Sequence, residues 1–331
     1  MVYFLLPVKR SYFFSGGGYF ILMFSAVFKN KRLVGLFCAF LATLFWSCNY
    51  PVSRFLFGKG AENLDEWAVS YLRLILALIF LLPFTVKKGD YKRLAGNWKM
   101  DGKFFLVMSI FTLAEVILAF VALKYTTAAR ASLMANASPV FTLIISFIAG
   151  REILSARKIT GACLGMAGII LAGMSKGSDL FSGGNVSTLV GDLMALSSGI
   201  FWSLFTVFGE KVASRYNGMF CSAVFKIFGL VLMIPILLIF NCSFTFNLPL
   251  SVWIGLIYLG VFSSGLALAL WAYAQKHVEP GAIGAFGYIS ATLATIFSMI
   301  FLKEKLTPVF IISFLMVLGG VALMIREKKS K

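Results

Sequence analysis

GLFCAFLATLFWS at residues 35–47 returns as GDLMALSSGIFWS at residues 191–203. Gly35, Phe45, Trp46 and Ser47 are matched by Gly191, Phe201, Trp202 and Ser203, each 156 residues later. Farther along, Lys124 and Glu152 are matched by Lys276 and Glu304 at a shift of 152, a few residues having been lost between the two anchor sets. Both copies lie in long apolar runs, so the chain reads as a duplicated membrane protein. Duplicated membrane bundles commonly place the working site at the bilayer midplane where the halves meet, and move by rocking one half against the other. Passage of a solute across the bilayer is therefore the first expectation.

Composition points the same way. Of 331 residues, 60% are hydrophobic and 13% charged, and mean hydropathy is +0.91; a soluble domain carries about 25% charged residues. Crossing the hydrocarbon core takes about 20 residues in a helix. The apolar runs predict ten such segments: 33–57, 66–86, 104–123, 126–149, 157–174, 189–211, 219–241, 251–274, 280–302 and 306–325. These runs lack the alternate-residue pattern of outer-membrane barrel strands, so the spans are helices. The expected fold is an all-α integral membrane protein of ten transmembrane helices in two inverted five-helix repeats. The first repeat covers 33–174 and the second 189–326, joined by a linker at 175–188 and followed by a basic tail at 327–331.

Lysine and arginine set the orientation. With the N-terminus inside, the inner loops and tails hold the basic residues around Lys29–Arg32, Lys87–Lys103, Arg151–Lys158, Lys211–Arg215 and Arg326–Lys331, against Lys59, Lys124, Lys176, Lys303 and Lys305 outside. That ratio, roughly four to one, predicts cytoplasmic termini. An odd number of spans per repeat then gives the halves opposite polarity. The net charge of +17 is accounted for by loops facing anionic headgroups, so the bilayer and not a nucleic acid is the expected partner. Residues 1–32 form an extension of uncertain role. Lys9, Arg10 and the apolar stretch 11–28 imitate a signal peptide, but no small-residue cleavage site follows, and Met23 is an alternative start. Gly16–Gly18 is not a phosphate loop, since no Gly-Lys-Ser/Thr follows.

The five cysteines contain no Cys-x-x-Cys pair and His277 is the sole histidine, so neither a disulfide framework nor a metal site is expected and no cofactor is implied. Scarce acids and a lone histidine argue against an enzyme, and no filter sequence or ring of charge suggests a channel. A non-transport structural protein would leave Glu115 without a role.

Phe45-Trp46-Ser47 with Asn49-Tyr50-Pro51, Arg73 in Tyr71-Leu72-Arg73-Leu74, Ala128-Ala129-Arg130-Ala131-Ser132-Leu133 leading to Ser138-Pro139, and Arg151-Glu152 together resemble the EamA family of drug/metabolite transporters. The second half repeats the pattern with Phe201-Trp202-Ser203, Trp271-Ala272-Tyr273, Lys303-Glu304-Lys305-Leu306-Thr307-Pro308 and Gly319-Gly320. One departure is visible: the proline thirteen residues before the hairpin glutamate is Pro139 in the first half but Ala291 in the second, so the ninth span lacks a matching proline kink. The resemblance covers about residues 33–326. It implies a central cavity between inverted repeats of a cell-membrane protein, the bacterial inner membrane being the expected site, and secondary transport of amino acids, nucleotide-derived metabolites or other small organics. Carriers of S-adenosylmethionine, exchanged for its demethylated product, belong to the substrate range so implied. Self-association as a homodimer is left open.

Ionisable groups deep in a span cost about 3 kcal/mol on insertion scales and usually face a cavity or a partner. Glu115, near the middle of the third span with no basic residue one turn away, is the leading substrate-binding candidate. Arg73 is equally readable as structural or functional, and Lys226, at about the equivalent place in the second repeat, shares that ambiguity. Arg54 and Arg130 lie near span ends and are expected to snorkel to headgroups. Trp46, Tyr50, Trp202, Trp271, Tyr273 and Tyr288 are intramembrane aromatics with a polar tip that wants a partner. Asn49 and Asn136 suit either a cavity wall or a helix–helix hydrogen bond. Gly281, Gly284 and Gly287 mark a face for close helix approach. An acid walled by aromatic rings suits a cationic or zwitterionic guest.

Overall fold

The computed structural model describes residues 30–49, 52–53, 56, 65–85, 88–122, 124–126, 128–174, 186–242, 244–302 and 308–326. The N-terminal stretch 1–29, linker residues 175–185, the tail 327–331, Tyr50, Arg54 and the Lys303–Lys305 hairpin lie outside them. In chain order the helices are α1 Lys31–Ser47, α2 Glu66–Thr85, α3 Lys88–Gly96, a π-turn π1 Trp98–Gly102, α4 Lys103–Ala122, α5 Ala128–Ala135, α6 Ser138–Ile148, α7 Ala156–Met174 and α8 Val186–Phe208. There follow α9 Glu210–Ala213, α10 Gly218–Ile239, α11 Leu250–Ile257, a longer π-helix π2 Tyr258–Leu266, α12 Ala267–His277, α13 Pro280–Gly284, α14 Phe286–Leu302 and α15 Pro308–Ile325. All regular structure among the described residues is helical, as a hydrocarbon solvent requires when every backbone group must be satisfied within its own segment.

Among the described residues, six continuous helical stretches are long and apolar enough to cross a membrane: Trp67–Thr85, Trp98–Ala119, Arg130–Ile148, Val186–Ala213, Gly218–Ile239 and Leu250–His277. They coincide with the second, third, fourth, sixth, seventh and eighth expected segments. The other four segments are helical over α1, α7, α13–α14 and α15. The chain is thus a multi-pass membrane protein. Local chemistry sets several boundaries. The Asn30 side chain accepts the N–H groups of Arg32 (3.1 Å) and Leu33 (3.2 Å) at the start of α1, and Asn217 accepts that of Met219 at the start of α10 (3.0 Å), each supplying partners for orphan donors. Pro139, Pro280 and Pro308 open α6, α13 and α15, where a missing N–H costs nothing. The fourth expected span breaks at Asn136–Ala137, just before Pro139. The ninth also breaks, at Ala285 and without a proline; beside the break Gly284 lies against Thr142 and Gly287 against Pro139 of α6, and Gly281 lies against Glu152.

Helices pair across the halves: α15 on α7, α8 on α4, α12 on α1, and α10 on α2. The α7–α15 pair is the closest. A Cβ on Gly161 would stand 2.7 Å from the Gly320 carbonyl oxygen, and one on Gly320 would stand 2.6 Å from that of Gly161. Small residues let the two backbones touch where lipid offers no hydrophobic drive. The two Phe-Trp-Ser motifs make reciprocal contacts. Ser47 Oγ donates to the Ser290 carbonyl (3.2 Å) and Ser203 Oγ to that of Ser138 (2.8 Å). Likewise Gly35 sits against Val278 and His277, and Gly191 against Thr126 and Tyr125. In each pair the members are related by the two shifts read from the sequence.

The two ends of the bundle differ. At the end bearing Arg32, a cluster containing the buried Phe105, Phe205, Phe220, Phe225, Trp271 and Ile283 fills the interior. Above it the halves are tied by Arg32–Glu279 (3.1 Å), Arg151–Glu210 (2.9 Å) and Arg215–Asp101 (2.7 Å). Tyr216 also donates to Asp101 (2.6 Å), and the Gly281 N–H donates to Glu152 (2.9 Å). At the opposite end Arg130, expected to snorkel, instead makes a forked contact with Asp192, whose other oxygen accepts the Thr126 hydroxyl (2.6 Å). A partner carboxylate on α8, across the repeat boundary, decides this; it is invisible from the position of Arg130 within its own span.

Candidate functional site

Between the halves lies a cavity of about 360 Å³, within the roughly 300–1,000 Å³ typical of small-molecule sites. A second chamber of about 150 Å³ adjoins it, and the two share Trp46, Arg73, Glu115, Val116 and Trp202 as their common wall. The wall is built from α1, α2, α4 and α8, so every charged group in it is carried on a helix that also packs across the repeat boundary.

Three tryptophans form one cluster. Trp46 lies 5.1 Å from Trp202, edge to face, and 5.1 Å from Trp271, while Trp202 and Trp271 are 5.5 Å apart. The duplicated Trp46 and Trp202 therefore meet each other at the centre. The Trp46 indole donates to the Ser263 carbonyl (3.0 Å), a group in π2. Trp271 is 1% exposed and its indole nitrogen has no hydrogen-bond partner among the described residues.

Glu115 and Arg73 both face this space, and each feels the other's charge. Arg73 Nε donates to Ser264 Oγ (2.7 Å); the Glu115 carboxylate makes no hydrogen bond or salt bridge with the described residues. Asn49 lines the cavity with its side-chain oxygen buried and unpartnered. Asn136 lines it at the break between α5 and α6, donating to the Ser132 carbonyl (2.7 Å). Buried polar atoms are ordinarily hydrogen-bonded, so a carboxylate, an indole N–H and an amide oxygen left over in one cavity describe the complement of a polar guest.

The structure brings seven of the ten sequence candidates to the cavity wall: Glu115, Trp46, Asn49, Arg73, Asn136, Trp202 and Trp271. Tyr288 is not among them. It is fully buried between α14 and α7, its ring over Gly165 and its hydroxyl donated to the Ala162 carbonyl (3.1 Å); its partner is a helix, set by the direction its face of α14 happens to take. Tyr273 also points elsewhere, its ring 4.6 Å from His277. Tyr50 lies outside the described residues. Lys226, which the sequence leaves as ambiguous as Arg73, lines the second chamber together with Ser263 and Ser264, which the sequence does not single out. An intramembrane lysine was a sufficient signal for the first; the serine pair depends on π2, whose wider turn no hydropathy pattern announces. Single π-turns frequently occur at functional sites.

At the Arg32 end, outside the spans, burial pushes the Glu152 carboxyl above the usual carboxylate range, against the opposing pull of the Gly281 N–H and of Lys158, 3.4 Å away. Burial and the adjacent Asp101 carboxylate likewise raise the Tyr216 phenol. Among the described residues no group of three or more His, Cys, Asp or Glu side chains could hold a metal ion.

The model of the EamA-like transporter family matches residues 33–174 and again 189–326. An uncharacterized transporter of Archaeoglobus fulgidus is 31% identical over 274 residues, covering 80% of this chain and 88% of the relative. The uncharacterized transporter YetK of Bacillus subtilis is 26% identical over 81% of each chain. The uncharacterized inner membrane transporter YedA of Escherichia coli is 26% identical over 81% of this chain and 83% of its own. A crystal structure with 19% identity superposes with a TM-score of 0.71, covering 88% of this chain and 97% of the other, and so shares the fold. With both halves matched separately and a bundle of membrane-spanning helices around a central polar cavity, this chain belongs to the EamA-like transporter family.

Proposed function

We propose that the chain is a secondary transporter that carries a small zwitterionic metabolite by alternating access. In this reading ten spans form two five-helix halves related by an axis in the membrane plane, with both termini cytoplasmic and the protein in the inner membrane of a bacterium. The pattern of helix pairing supports the axis, because it maps onto itself when the halves are exchanged: α4–α8 becomes α12–α1, α6–α8 becomes α14–α1, while α2–α10 and α7–α15 each become themselves. Ser47–Ser290 and Ser203–Ser138 exchange in the same way. The ion pairs and apolar plug at the Arg32 end then act as one closed gate, to be released when the cavity opens to that side.

The observation that carries the reading is the Glu115 carboxylate, without a hydrogen bond or salt bridge to the described residues, in the same cavity as Arg73. A guest bearing an ammonium and a carboxylate supplies the missing partner for each, while the three tryptophans cover its apolar body and attract its cationic end. Glu115 is the one carboxylate among the described lining residues. An amino-acid-like zwitterion therefore matches the charges better than S-adenosylmethionine, whose sulfonium adds a second cation. Counterflow in proteoliposomes tests this: vesicles preloaded with unlabelled amino acids should accumulate the labelled forms saturably, and S-adenosylmethionine more weakly. Correctly inserted protein that moves no zwitterion would refute the proposal.

A further inference from the structure

The second chamber holds chemistry that a simple zwitterion leaves unused. At about 150 Å³ it falls below the range for a whole small-molecule site and is sized for one functional group. Lys226 projects from α10 into it, and its ammonium makes no hydrogen bond or ion pair with the described residues. A lysine in a span is costly unless it meets a counter-charge, and the described charge that acts on it is another cation, Arg73. Arg73 spends its Nε on Ser264, leaving both terminal nitrogens of its fork uncommitted. Ser263 is 1% exposed, and its hydroxyl has no hydrogen-bond partner among the described residues. These groups converge because π2 widens the helical turn and presents Ser263 and Ser264 consecutively to the chamber.

We propose that this chamber is an anion subsite, in which Lys226, Arg73 and the Ser263 and Ser264 hydroxyls receive a second acidic group of the substrate, so that the preferred guest is an acidic zwitterion. The assignment rests on the zwitterion reading above and extends it. Counting Arg73, Lys226 and Glu115, the described lining carries a formal charge of +1, which a guest with one ammonium and two acidic groups neutralises. The common wall of Trp46, Trp202, Arg73 and Glu115 leaves both Glu115 and Arg73 reachable from either chamber.

L-glutamate and L-glutamine differ in the one group that this subsite would read. Tryptophan fluorescence of the purified full chain, with Trp46 and Trp202 between the chambers, would be titrated with each, alongside counterflow in proteoliposomes. Glutamate should bind about tenfold more tightly than glutamine or better, as expected for a charge-assisted contact. In Lys226→Gln that preference should shrink to about twofold or less with glutamine affinity kept, and Lys226→Arg should restore it. Ser263→Ala, which removes no charge, should weaken glutamate alone by a few-fold, and serves if the lysine variants do not fold. Glutamine carried with no preference for glutamate in the unmodified protein, or an undiminished preference in Lys226→Gln, would overturn the subsite while leaving the zwitterion reading intact. Failure of both solutes to bind and move would remove both.

Discussion

Glu115→Gln separates the cavity's chemistry from its packing. The amide keeps the shape of the carboxylate and one acceptor oxygen but removes the charge. Because Glu115 makes no hydrogen bond or salt bridge with the described residues, its hydrogen-bonding capacity is available to the guest. A hydrogen bond to a charged acceptor contributes about 1.5–3 kcal/mol against 0.5–1.5 for a neutral one, and ion–ion attraction in a water-poor cavity adds to the difference. A loss of about 2 kcal/mol, or roughly thirtyfold in Kd, follows for a zwitterion. Stability should change little, because Arg73 keeps its hydrogen bond to Ser264 at 2.7 Å. The alternative role, a structural counter-ion for Arg73, calls for a loss of about 3–5 kcal/mol in stability as a buried cation is left unpaired. Isothermal titration with the best-transported amino acid, beside a thermal melt of the same preparation, reads both quantities. Unchanged affinity with an unchanged melt would refute both roles and leave Glu115 incidental.

Other consequences are as direct. In a cysteine-free background, Ala95→Cys and Thr245→Cys should react with an impermeant maleimide from opposite sides of the membrane; labelling from one side would break the proposed topology. Gly320→Ala places a methyl 2.6 Å from the Gly161 carbonyl oxygen and 2.7 Å from the Gly165 nitrogen, so α7 and α15 must part, and the melting midpoint should fall by an amount corresponding to about 1–3 kcal/mol; a neutral result would contradict the backbone contact. Glu152 has a folded-state pKa above its ordinary 4.5, so its contribution to stability is present below that value and is lost as pH rises through the raised one. Thermal melts across that window should show the decline in the unmodified protein and a flatter profile in Glu152→Gln; parallel profiles would count against it. Asp101→Asn weakens its contacts with Arg215 and Tyr216 at the closed end, and should make a cysteine placed at the cavity wall more reactive from the Arg32 side.

What could be read in one dimension is what the bilayer enforces in one dimension. Crossing hydrocarbon demands a certain length of apolar helix wherever the segment sits in the fold, so the membrane class and the location of helical segments follow from hydropathy. The duplication is likewise written in the chain as two constant shifts, and the reciprocal bonds of Ser47 and Ser203 are its physical trace. Charge inside a span is costly in any arrangement, which is why Glu115, Arg73 and Lys226 stood out before their surroundings were known. Which way each helix is turned is a different matter, because a segment apolar all round carries no stripe to say which side meets lipid and which meets protein. Tertiary packing alone turned Tyr288 onto Gly165 and Ala162, gave Arg130 the carboxylate of Asp192, and gathered Trp46, Trp202 and Trp271 into one cluster. It also brought Ser263 and Ser264, in the π-helix Tyr258–Leu266, to the chamber that Lys226 lines. Spans are decided by local transfer free energy; the site is decided by rotation and register between helices, which depend on contacts far apart in the sequence.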